Sequence, residues 1–233
     1  MKNKVSIIIP CYNEKSTILN ILKKIEDVYL NQIEKEIIIV DDFSTDGTRA
    51  ILKSLKKYKV IFNEKNHGKG FSVRKGIKNA SGDIIIIQDA DLEYDPGDYK
   101  NLLQPILENK AQVVYGSRER NKNNKLHSGL FFYLGGLFLT KLTNILYGSK
   151  LTDQSTCYKI FLKYILDDID LQENRFGFCS EITAKLLLKN IKPYEVPINY
   201  FPRKKFEGKK ISWKDGIRAI YVLLKYRIIG FLK

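Results

Sequence analysis

Residues 82–93 read GDIIIIQDADLE, a short apolar run that ends in acidic residues. Four consecutive isoleucines bounded by turn residues predict a strand that is buried on both faces. Asp89 and Asp91 follow this run, and side chains two positions apart in extended backbone point the same way. Their carboxylates, joined by that of Glu93, are oxygen ligands suited to Mg²⁺ or Mn²⁺. The alternative is that Asp89 caps a turn and Asp91 faces solvent.

The rest of the chain repeats this pattern of short apolar runs separated by helical spacing. The predicted strands of the first half are Val5–Ile9, Glu36–Val40, Val60–Phe62, Ile84–Ile87 and Gln112–Tyr115. The predicted helices between them cover residues 18–28, 48–57 and 71–79. Alternation of this kind predicts an α/β fold with a mainly parallel sheet flanked by helices. In the second half we expect helices at 178–190 and 213–231 and one more strand at Ile191–Tyr200. We predict one domain over residues 1–212, with 213–233 as a C-terminal helix of the same domain.

Composition excludes some classes of protein and indicates a kind of partner. The chain has 233 residues, of which 44% are hydrophobic, enough for a sizeable core and too many for a disordered chain. The net charge of +14 predicts an anionic partner, without choosing among nucleic acid, phosphorylated substrate and membrane surface. Three cysteines without a CxxC motif favour free thiols in a reducing compartment over disulfides or a zinc site.

Two further polar segments follow predicted strands. Asp42 comes at the end of the second strand, where a carboxylate can accept hydrogen bonds from a nucleobase. Ser44 and Asp46, just beyond it, are explained by capping of the next helix. Lys69 lies in the glycine-containing segment 66–70 at the start of another helix, a place where backbone amides and a lysine can hold an anion. An ordinary glycine turn is the alternative.

The C-terminal region combines charge with an apolar face. Residues 201–233 contain ten Lys or Arg against two acids, a net charge of +8. One helical face carries Ile217, Ile220, Tyr221, Leu224 and Ile228, a pattern typical of helices at a membrane interface. The longest uncharged stretch is fifteen residues, 126–140, and a spanning helix needs about 20, so no transmembrane segment is expected. We expect a cytoplasmic protein, peripheral on the inner face of the membrane. The alternative to membrane contact is that the C-terminal helix and the apolar stretch at 126–140 pack on the core or form the face of a homo-oligomer.

Taken in order, these segments resemble the family 2 glycosyltransferases of GT-A fold. More narrowly they are similar to the dolichol-phosphate mannose synthase branch and its bacterial polyprenyl-phosphate relatives. The resemblance runs from residue 5 to about 212. Its segments are IIIPCYNE (7–14), IIIVDDFSTDGT (37–48), NHGKGFSVRKGIKNASGDIIIIQDADLEYDP (66–96), VVYGSR (113–118), DQSTCYK (153–159), FGFCSEITAKLL (176–187) and EVPINYFPR (195–203).

The resemblance implies an inverting, metal-dependent transfer of a sugar from GDP-mannose or a UDP-hexose to a polyprenyl or dolichyl phosphate. The implied cofactor is Mg²⁺ or Mn²⁺, held by Asp89, Asp91 and Glu93. The implied catalytic residues are Asp91, Arg118 and Asp153. The nucleotide-sugar site would comprise Pro10, Tyr12, Glu14, Val40, Asp42, Lys69, Asp89, Ala90, Asp91, Arg118, Arg203 and Lys209.

One departure from the branch leaves the donor sugar and the acceptor open. Many dolichol-phosphate mannose synthases have S-G-F-R after the acidic residue, whereas this chain has Ser155-Thr156-Cys157-Tyr158-Lys159. A saccharide hydroxyl, as in cell-surface polysaccharide assembly, is the alternative acceptor. Asp153 would then be the base that takes the hydroxyl proton, whereas with a phosphate acceptor it would position a substrate.

Two other classes of protein are weighed against a glycosyltransferase. A nucleic-acid-binding module is suggested by charge alone, and no recognised nucleic-acid-binding motif supports it, so we expect no nucleic-acid partner. A sugar nucleotidyltransferase would need a glycine-rich N-terminal loop, where this chain has Pro10-Cys11-Tyr12-Asn13-Glu14.

Overall fold

One seven-stranded sheet organises the part of the chain that the structure describes. The computed structural model describes residues 4–124, 129–203, 208 and 210–231. The strands are β1 (Lys4–Cys11), β2 (Glu34–Asp41), β3 (Lys59–Phe62), β4 (Ile84–Ile87), β5 (Val113–Ser117), β6 (Lys159–Leu162) and β7 (Tyr194–Pro197). The helices are α1 (Ile18–Asp27), α2 (Thr48–Ser54), α3 (Lys69–Lys78), α4 (Tyr99–Leu107), α5 (Leu130–Tyr147), α6 (Lys163–Asp167), α7 (Gly177–Leu188) and α8 (Trp213–Phe231), with a short 3₁₀ helix at Pro96–Asp98. The strands lie in the order β3-β2-β1-β4-β6-β5-β7.

The parallel half of the sheet is the one that the apolar runs predicted. β1 pairs in parallel with β2 on one side and with β4 on the other, and β3 extends the sheet beyond β2. Ile7 lies between Ile37 and Ile86 in this register. The side chains of Ile7 and Ile86 are completely buried. Parallel neighbours require crossover connections, and α1, α2 and α3 provide them. The predicted α/β class is therefore confirmed.

The sequence did not predict strand β6. This strand is antiparallel to both of its neighbours, β4 and β5. It has four residues, begins with a lysine and is followed directly by Lys163 and helix α6, so its three apolar residues, 160–162, were not recognised as a strand. Lys159 is nonetheless fully buried, with its ammonium 2.9 Å from the carbonyl of Gln154 and 3.6 Å from the centre of the Tyr115 ring. Burial lowers the pKa of Lys159 to about 8.

Helix α5 is longer than the uncharged stretch that it contains in part, because it continues beyond Lys141. Among the described residues it is the one helix whose length and composition would let it cross a membrane; its mean hydropathy is 1.3 and 11% of it is buried. The expectation of no such segment was based on the charge at Lys141, which interrupts the apolar run without ending the helix. The core helix of a soluble protein can have the same length and hydropathy, although such a helix is mostly buried.

Helix α8 packs through the face opposite to its predicted apolar stripe. Ala184 of α7 forms a small hydrophobic cluster with Val222, Leu223 and Tyr226 of α8, and α5 contributes partly buried residues. The stripe itself, represented by Ile217 (58% exposed) and Ile228 (60% exposed), remains on the surface. The described residues of this chain thus leave an apolar helix face uncovered.

The close approach of α3 to β1 gives a stability prediction. A Cβ atom at Gly76 would lie 2.3 Å from Cγ2 of Ile8, so we expect Gly76→Ala to destabilise the fold by about 1–3 kcal/mol through overpacking. Gly216 of α8 is the matched control, because a Cβ there meets no atom within 4 Å. Gly216→Ala is expected to stabilise the protein by up to about 1 kcal/mol. Urea denaturation at unchanged m-value measures both, and equal shifts would contradict the packing argument.

Candidate active site

The polar residues predicted at the strand ends meet at one edge of the sheet. Strand order reverses at β1, and such a switch point is where ligands bind in α/β sheets. The amide of Asp42 donates to the carbonyl of Cys11 at 2.8 Å, and that of Gln88 donates to the carbonyl of Ile8 at 3.0 Å. These bonds hold the ends of β1, β2 and β4 together. A cavity of about 1030 Å³ opens at this edge and is lined on its far side by α5 and α8.

Asp89 is paired with a lysine from α3. The ammonium of Lys69 forms an ion pair with the Asp89 carboxylate and lies 2.9 Å from Sγ of Cys157. Burial opposes ionisation of Asp89, but the charge and hydrogen bond of Lys69 outweigh it and lower the pKa of Asp89. The sequence predicted that Lys69 can hold an anion. In this structure that anion is the carboxylate of Asp89, a group of the protein itself.

Asp91 faces an arginine from the segment that follows β7. Its Oδ2 accepts a hydrogen bond from Nη2 of Arg203 at 3.1 Å. Burial and the charges of Asp89 and Glu93 raise the pKa of Asp91 to about 7, although Arg203 opposes the shift. Glu93 accepts hydrogen bonds from the Tyr200 hydroxyl at 3.1 Å and from the Arg203 amide at 2.8 Å. Asp91 and Glu93 thus hold the segment after β7 against the edge of the sheet.

The donor set at this edge suits a hard dication. Within residues 4–124, 129–203, 208 and 210–231, no three His, Cys, Asp or Glu side chains are arranged as a metal-binding group. Glu93 instead contacts Tyr200 and Arg203. The carboxylates of Asp89 and Asp91 lie on one wall of the cavity, and each is now neutralised by a protein cation. Two carboxylates, with the remaining positions left to water and phosphate oxygens, fit Mg²⁺ or Mn²⁺. Their metal-binding role remains a prediction.

Glu14, in the loop after β1, forms ion pairs with two cations of the C-terminal region. Its carboxylate, 5% exposed, accepts hydrogen bonds from both terminal nitrogens of Arg203 at 3.1 Å and pairs with Lys210. The Glu14 amide donates to the Thr48 hydroxyl at 2.9 Å, which fixes the loop after β1. Lys210 was not predicted as a site residue, because nothing local marks it among the other cations of the C-terminal region.

Asp42 organises the glycine-lysine loop. Its carboxylate accepts hydrogen bonds from the amides of His67 (3.0 Å) and Gly68 (2.6 Å) and from the side chain of Asn63 (2.8 Å). Gly68 has φ +98°, and a Cβ atom there would lie 2.6 Å from the carbonyl of Asn174, so glycine is required. Asp42 therefore positions the start of α3, and with it Lys69.

Arg118 and Asp153 form a two-pronged ion pair. Nε and Nη2 of Arg118 each lie 2.7 Å from an oxygen of Asp153, and the Arg118 amide donates to Oδ2 at 3.1 Å. The Arg118 guanidinium also lies 5.1 Å from the centre of the Tyr200 ring. Both oxygens of Asp153 are thus engaged with a permanent cation. A carboxylate held in this way is poorly placed to take a proton from a substrate.

The structure brings nearly all of the predicted site residues to the cavity. The lining includes Pro10, Tyr12, Glu14, Asp42, Lys69, Asp89, Ala90, Asp91, Glu93, Arg118, Asp153 and Arg203. Val40 lies in the hydrophobic core instead, as expected for the interior of an inner strand. Lys209 lies outside the described residues. Sequence reasoning missed Lys210, Cys157, Cys179 and the apolar wall from α5 and α8.

Comparison with known proteins places this geometry in a family. The family model described as glycosyl transferase family 2 matches residues 6–170. The chain belongs to glycosyltransferase family 2. The predicted family membership and enzyme class are therefore confirmed, and the matched residues include most of β1, all of β2 and β4, and the acidic residues within 89–93.

Two curated relatives agree with this assignment, and a solved structure shares the fold. A UDP-N-acetylglucosamine–dolichyl-phosphate N-acetylglucosaminyltransferase of Methanococcus voltae is 30% identical over 96% of each chain. A dolichol-phosphate mannosyltransferase of Pyrococcus furiosus is 31% identical over 98% of this chain and 67% of its own length. Glucosyl-3-phosphoglycerate synthase of Mycobacterium tuberculosis, solved with UDP, is 19% identical with a TM-score of 0.75 over 97% of this chain and 80% of its own. This last likeness supports the GT-A fold.

Proposed function

We propose that this glycosyltransferase moves a sugar from a nucleoside diphosphate donor to a polyprenyl or dolichyl phosphate at a membrane surface. One observation supports this most strongly. The cavity is charged at the sheet edge, where Asp89, Asp91 and Arg203 lie, and apolar at its far side. Such a cavity fits an acceptor that has a phosphate head and a long hydrocarbon tail.

The apolar side of the cavity continues into the exposed surface of the same helices. Phe131 and Phe138 of α5 and Trp213 and Ile217 of α8 line it and are 91%, 55%, 70% and 58% exposed. Exposed aromatic and aliphatic residues grouped with cations are typical of helices at a lipid interface. We infer that α5 and α8 enter the interfacial layer of the membrane. A tail leaving the cavity between them would pass directly into lipid.

The chemistry assigned to the charged end is stabilisation of a departing diphosphate. A dication bound by Asp89 and Asp91 would offset the charge that develops on that leaving group. Arg118 and Arg203 add fixed positive charge on the other walls of the cavity. We assign the nucleoside contacts to Tyr12, Glu14 and Asp42, because all three line the cavity. Inversion at the sugar requires the acceptor to enter from the face opposite to the diphosphate.

A phosphate acceptor is already an anion and needs no base. The ion pair between Arg118 and Asp153 supports this choice, because Asp153 positions Arg118 rather than offering a free carboxylate. A saccharide hydroxyl would require a proton acceptor within about 3 Å of the hydroxyl. We therefore assign Asp153 a positioning role. Residues 213–233 are proposed as part of the catalytic domain, supported by the packing of α8 on α7.

Arg203 provides a direct test of the acceptor. Arg203→Ala is expected to raise the KM for a polyprenyl phosphate about 10- to 100-fold, because a charge-assisted contact to the phosphate contributes about 1.5–3 kcal/mol. Arg120→Ala is the control, since Arg120 is 48% exposed and does not line the cavity. Steady-state kinetics at saturating donor measure the effect. A loss confined to hydroxyl acceptors would contradict the proposal.

The donor and the acceptor are best identified in one screen. UDP- and GDP-sugars are incubated with the enzyme and Mg²⁺ or Mn²⁺, with and without undecaprenyl phosphate in lipid vesicles, and with excess chelator as the blank. We expect chelator-sensitive transfer that depends on the lipid phosphate. Transfer to an oligosaccharide without any lipid phosphate would instead favour the hydroxyl-acceptor alternative.

A further inference from the structure

The outer faces of α5 and α8 carry positive charge without exposed acids. Over residues 129–152 and 210–231 the chain has seven Lys or Arg and one acid, Asp215. Asp215 is 8% exposed, and its Oδ2 accepts hydrogen bonds from the amide and the hydroxyl of Ser212, both at 2.8 Å. This acid is therefore used inside the protein, and the charge that the two helices present at the surface is positive.

Five of the seven cations have no carboxylate partner among the residues that the structure describes. Lys210 pairs with Glu14, and Arg218 pairs with Glu173 through two hydrogen bonds of 2.7 and 3.0 Å. The five without an ion-pair partner are Lys141, Lys150, Lys214, Lys225 and Arg227. Their charge is left for a partner outside the chain.

On α8 the unpaired cations border the apolar stripe on both sides. Lys214 and Lys225 are eleven residues apart, about three helical turns, and so lie on one side of the stripe. Arg227, two residues further on, lies on the other side. Its guanidinium is 4.1 Å from the centre of the Phe231 ring, and the Lys214 ammonium is 6.0 Å from that of Trp213. A partner that covers the stripe therefore meets the cations at its margins at the same time.

Three kinds of partner can be compared with this arrangement. A second copy of the chain would bring the same cations against each other, so charge opposes self-association through this face. Nucleic acid offers phosphates at its surface without an apolar layer beside them. A bilayer that contains anionic phospholipid offers both, because its phosphates lie directly above the acyl chains, and lysine and arginine side chains can reach from one layer to the other.

We propose that the outer faces of α5 and α8 form a docking surface for anionic phospholipid, with α8 lying in the plane of the membrane. The apolar stripe enters the acyl layer, and the cations at its margins contact lipid phosphates. This inference rests on the membrane placement in the proposed function and adds the chemical class of the lipid that recruits the enzyme. Binding is expected to weaken in high salt, because exposed charges are then screened.

Trp213 reports this interaction directly. It is the only tryptophan of the chain and is 70% exposed at the start of α8. The full-length protein is titrated with vesicles of phosphatidylcholine, alone or mixed with phosphatidylglycerol, without polyprenyl phosphate or sugar nucleotide. We expect a blue shift of the tryptophan emission and, by co-sedimentation, partitioning about tenfold or more tighter to the vesicles with phosphatidylglycerol. Equal partitioning to the two compositions would overturn the proposal.

A matched pair of variants tests whether α8 carries the preference. Lys225→Gln with Arg227→Gln should weaken partitioning to the anionic vesicles about 10- to 30-fold, at about fivefold for each cation, and leave partitioning to phosphatidylcholine within about twofold. Lys53→Gln with Lys56→Gln is the control, because it removes the same charge from exposed positions that do not line the cavity. An equal loss in the control would mean that net charge alone attracts the protein, and the docking surface would be wrong.

A separate assay of sugar transfer distinguishes this inference from the proposed function. The wild type and both variants are assayed in detergent with a polyprenyl phosphate as acceptor. Transfer without any preference for anionic vesicles overturns only the docking surface. A clear preference in a protein that transfers to no lipid phosphate overturns only the proposed acceptor. Concentration-dependent dimers without a lipid preference would assign the face to a second copy of the chain and overturn the docking surface.

Discussion

Replacing Asp91 with asparagine is expected to reduce sugar transfer about a thousandfold or more, while leaving the protein folded. The change keeps the size of the side chain and removes one of the two carboxylates proposed to hold the dication. The diphosphate leaving group then loses its largest source of charge stabilisation. Transfer kinetics measure the loss, and the electron paramagnetic resonance signal of Mn²⁺ reports metal binding independently of turnover. Asp83→Asn, at an exposed carboxylate beside β4, is the control.

The same substitution is expected to stabilise the metal-free protein at alkaline pH. The pKa of Asp91 is raised from 3.8 to about 7 by burial and by its acidic neighbours. Its contribution to stability is therefore fully present below pH 3.8 and is lost as the pH rises through about 7. At about 1.4 kcal/mol for each pKa unit, the cost reaches about 2–4 kcal/mol above pH 7. Asparagine does not carry this cost.

Urea denaturation at two pH values checks this sign. Asp91→Asn should be more stable than the wild type by about 2 kcal/mol or more at pH 8, with the gain disappearing near pH 4. An Asn variant that is less stable than the wild type at pH 8 would show that Asp91 is not a strained carboxylate. Loss of transfer combined with a gain in stability is typical of a residue retained for function.

Arg118→Met is expected to destabilise the protein by about 3 kcal/mol and to reduce transfer about a hundredfold or more. Asp153 is 4% exposed as a side chain, and removing its partner leaves a buried charge uncompensated, which costs about 3–5 kcal/mol. The transfer rate falls because a fixed cation is lost from the cavity wall. Lys110→Met is the control, since the Lys110–Glu108 pair is exposed and contributes below about 1 kcal/mol.

A double-mutant cycle separates the contribution of the Arg118–Asp153 ion pair to stability from its contribution to sugar transfer. Arg118→Met combined with Asp153→Leu should recover most of the lost stability, because no buried charge remains, yet should not recover transfer. Asp153→Asn alone should keep transfer to a lipid phosphate within about tenfold of the wild type, since no base is required. A loss as large as that of Arg118→Met would instead restore Asp153 as the catalytic base.

Much of the fold could be predicted from local patterns. The isoleucine runs of β1, β2 and β4 and the helical spacing between them require only that apolar side chains be buried on both faces of a sheet. Strand β6 escaped prediction because its first residue is a buried lysine whose ammonium is accommodated by Gln154 and Tyr115. The apolar stripe of α8 was recognised correctly as a face, but the opposite face is the one that packs on α7.

The candidate site could be predicted to the extent that it follows strands. Asp42, Asp89 and Asp91 were found because the carboxyl ends of parallel strands share one edge of a sheet. Contacts between distant parts of the chain could not be found in this way. Arg203 meets Glu14 from 189 positions away, and Lys69 meets Cys157 from 88 positions away.

The sequence by itself determined the α/β class, the family and the acidic edge of the sheet, because burial periodicity and strand-end chemistry are local properties of the chain. Only the tertiary structure decided which cation neutralises which carboxylate, that Asp153 is engaged by Arg118, and that two cysteines share the cavity wall. Those pairings depend on how the segments before β6 and after β7 pack across the switch point. Packing between distant segments is a property of the whole fold.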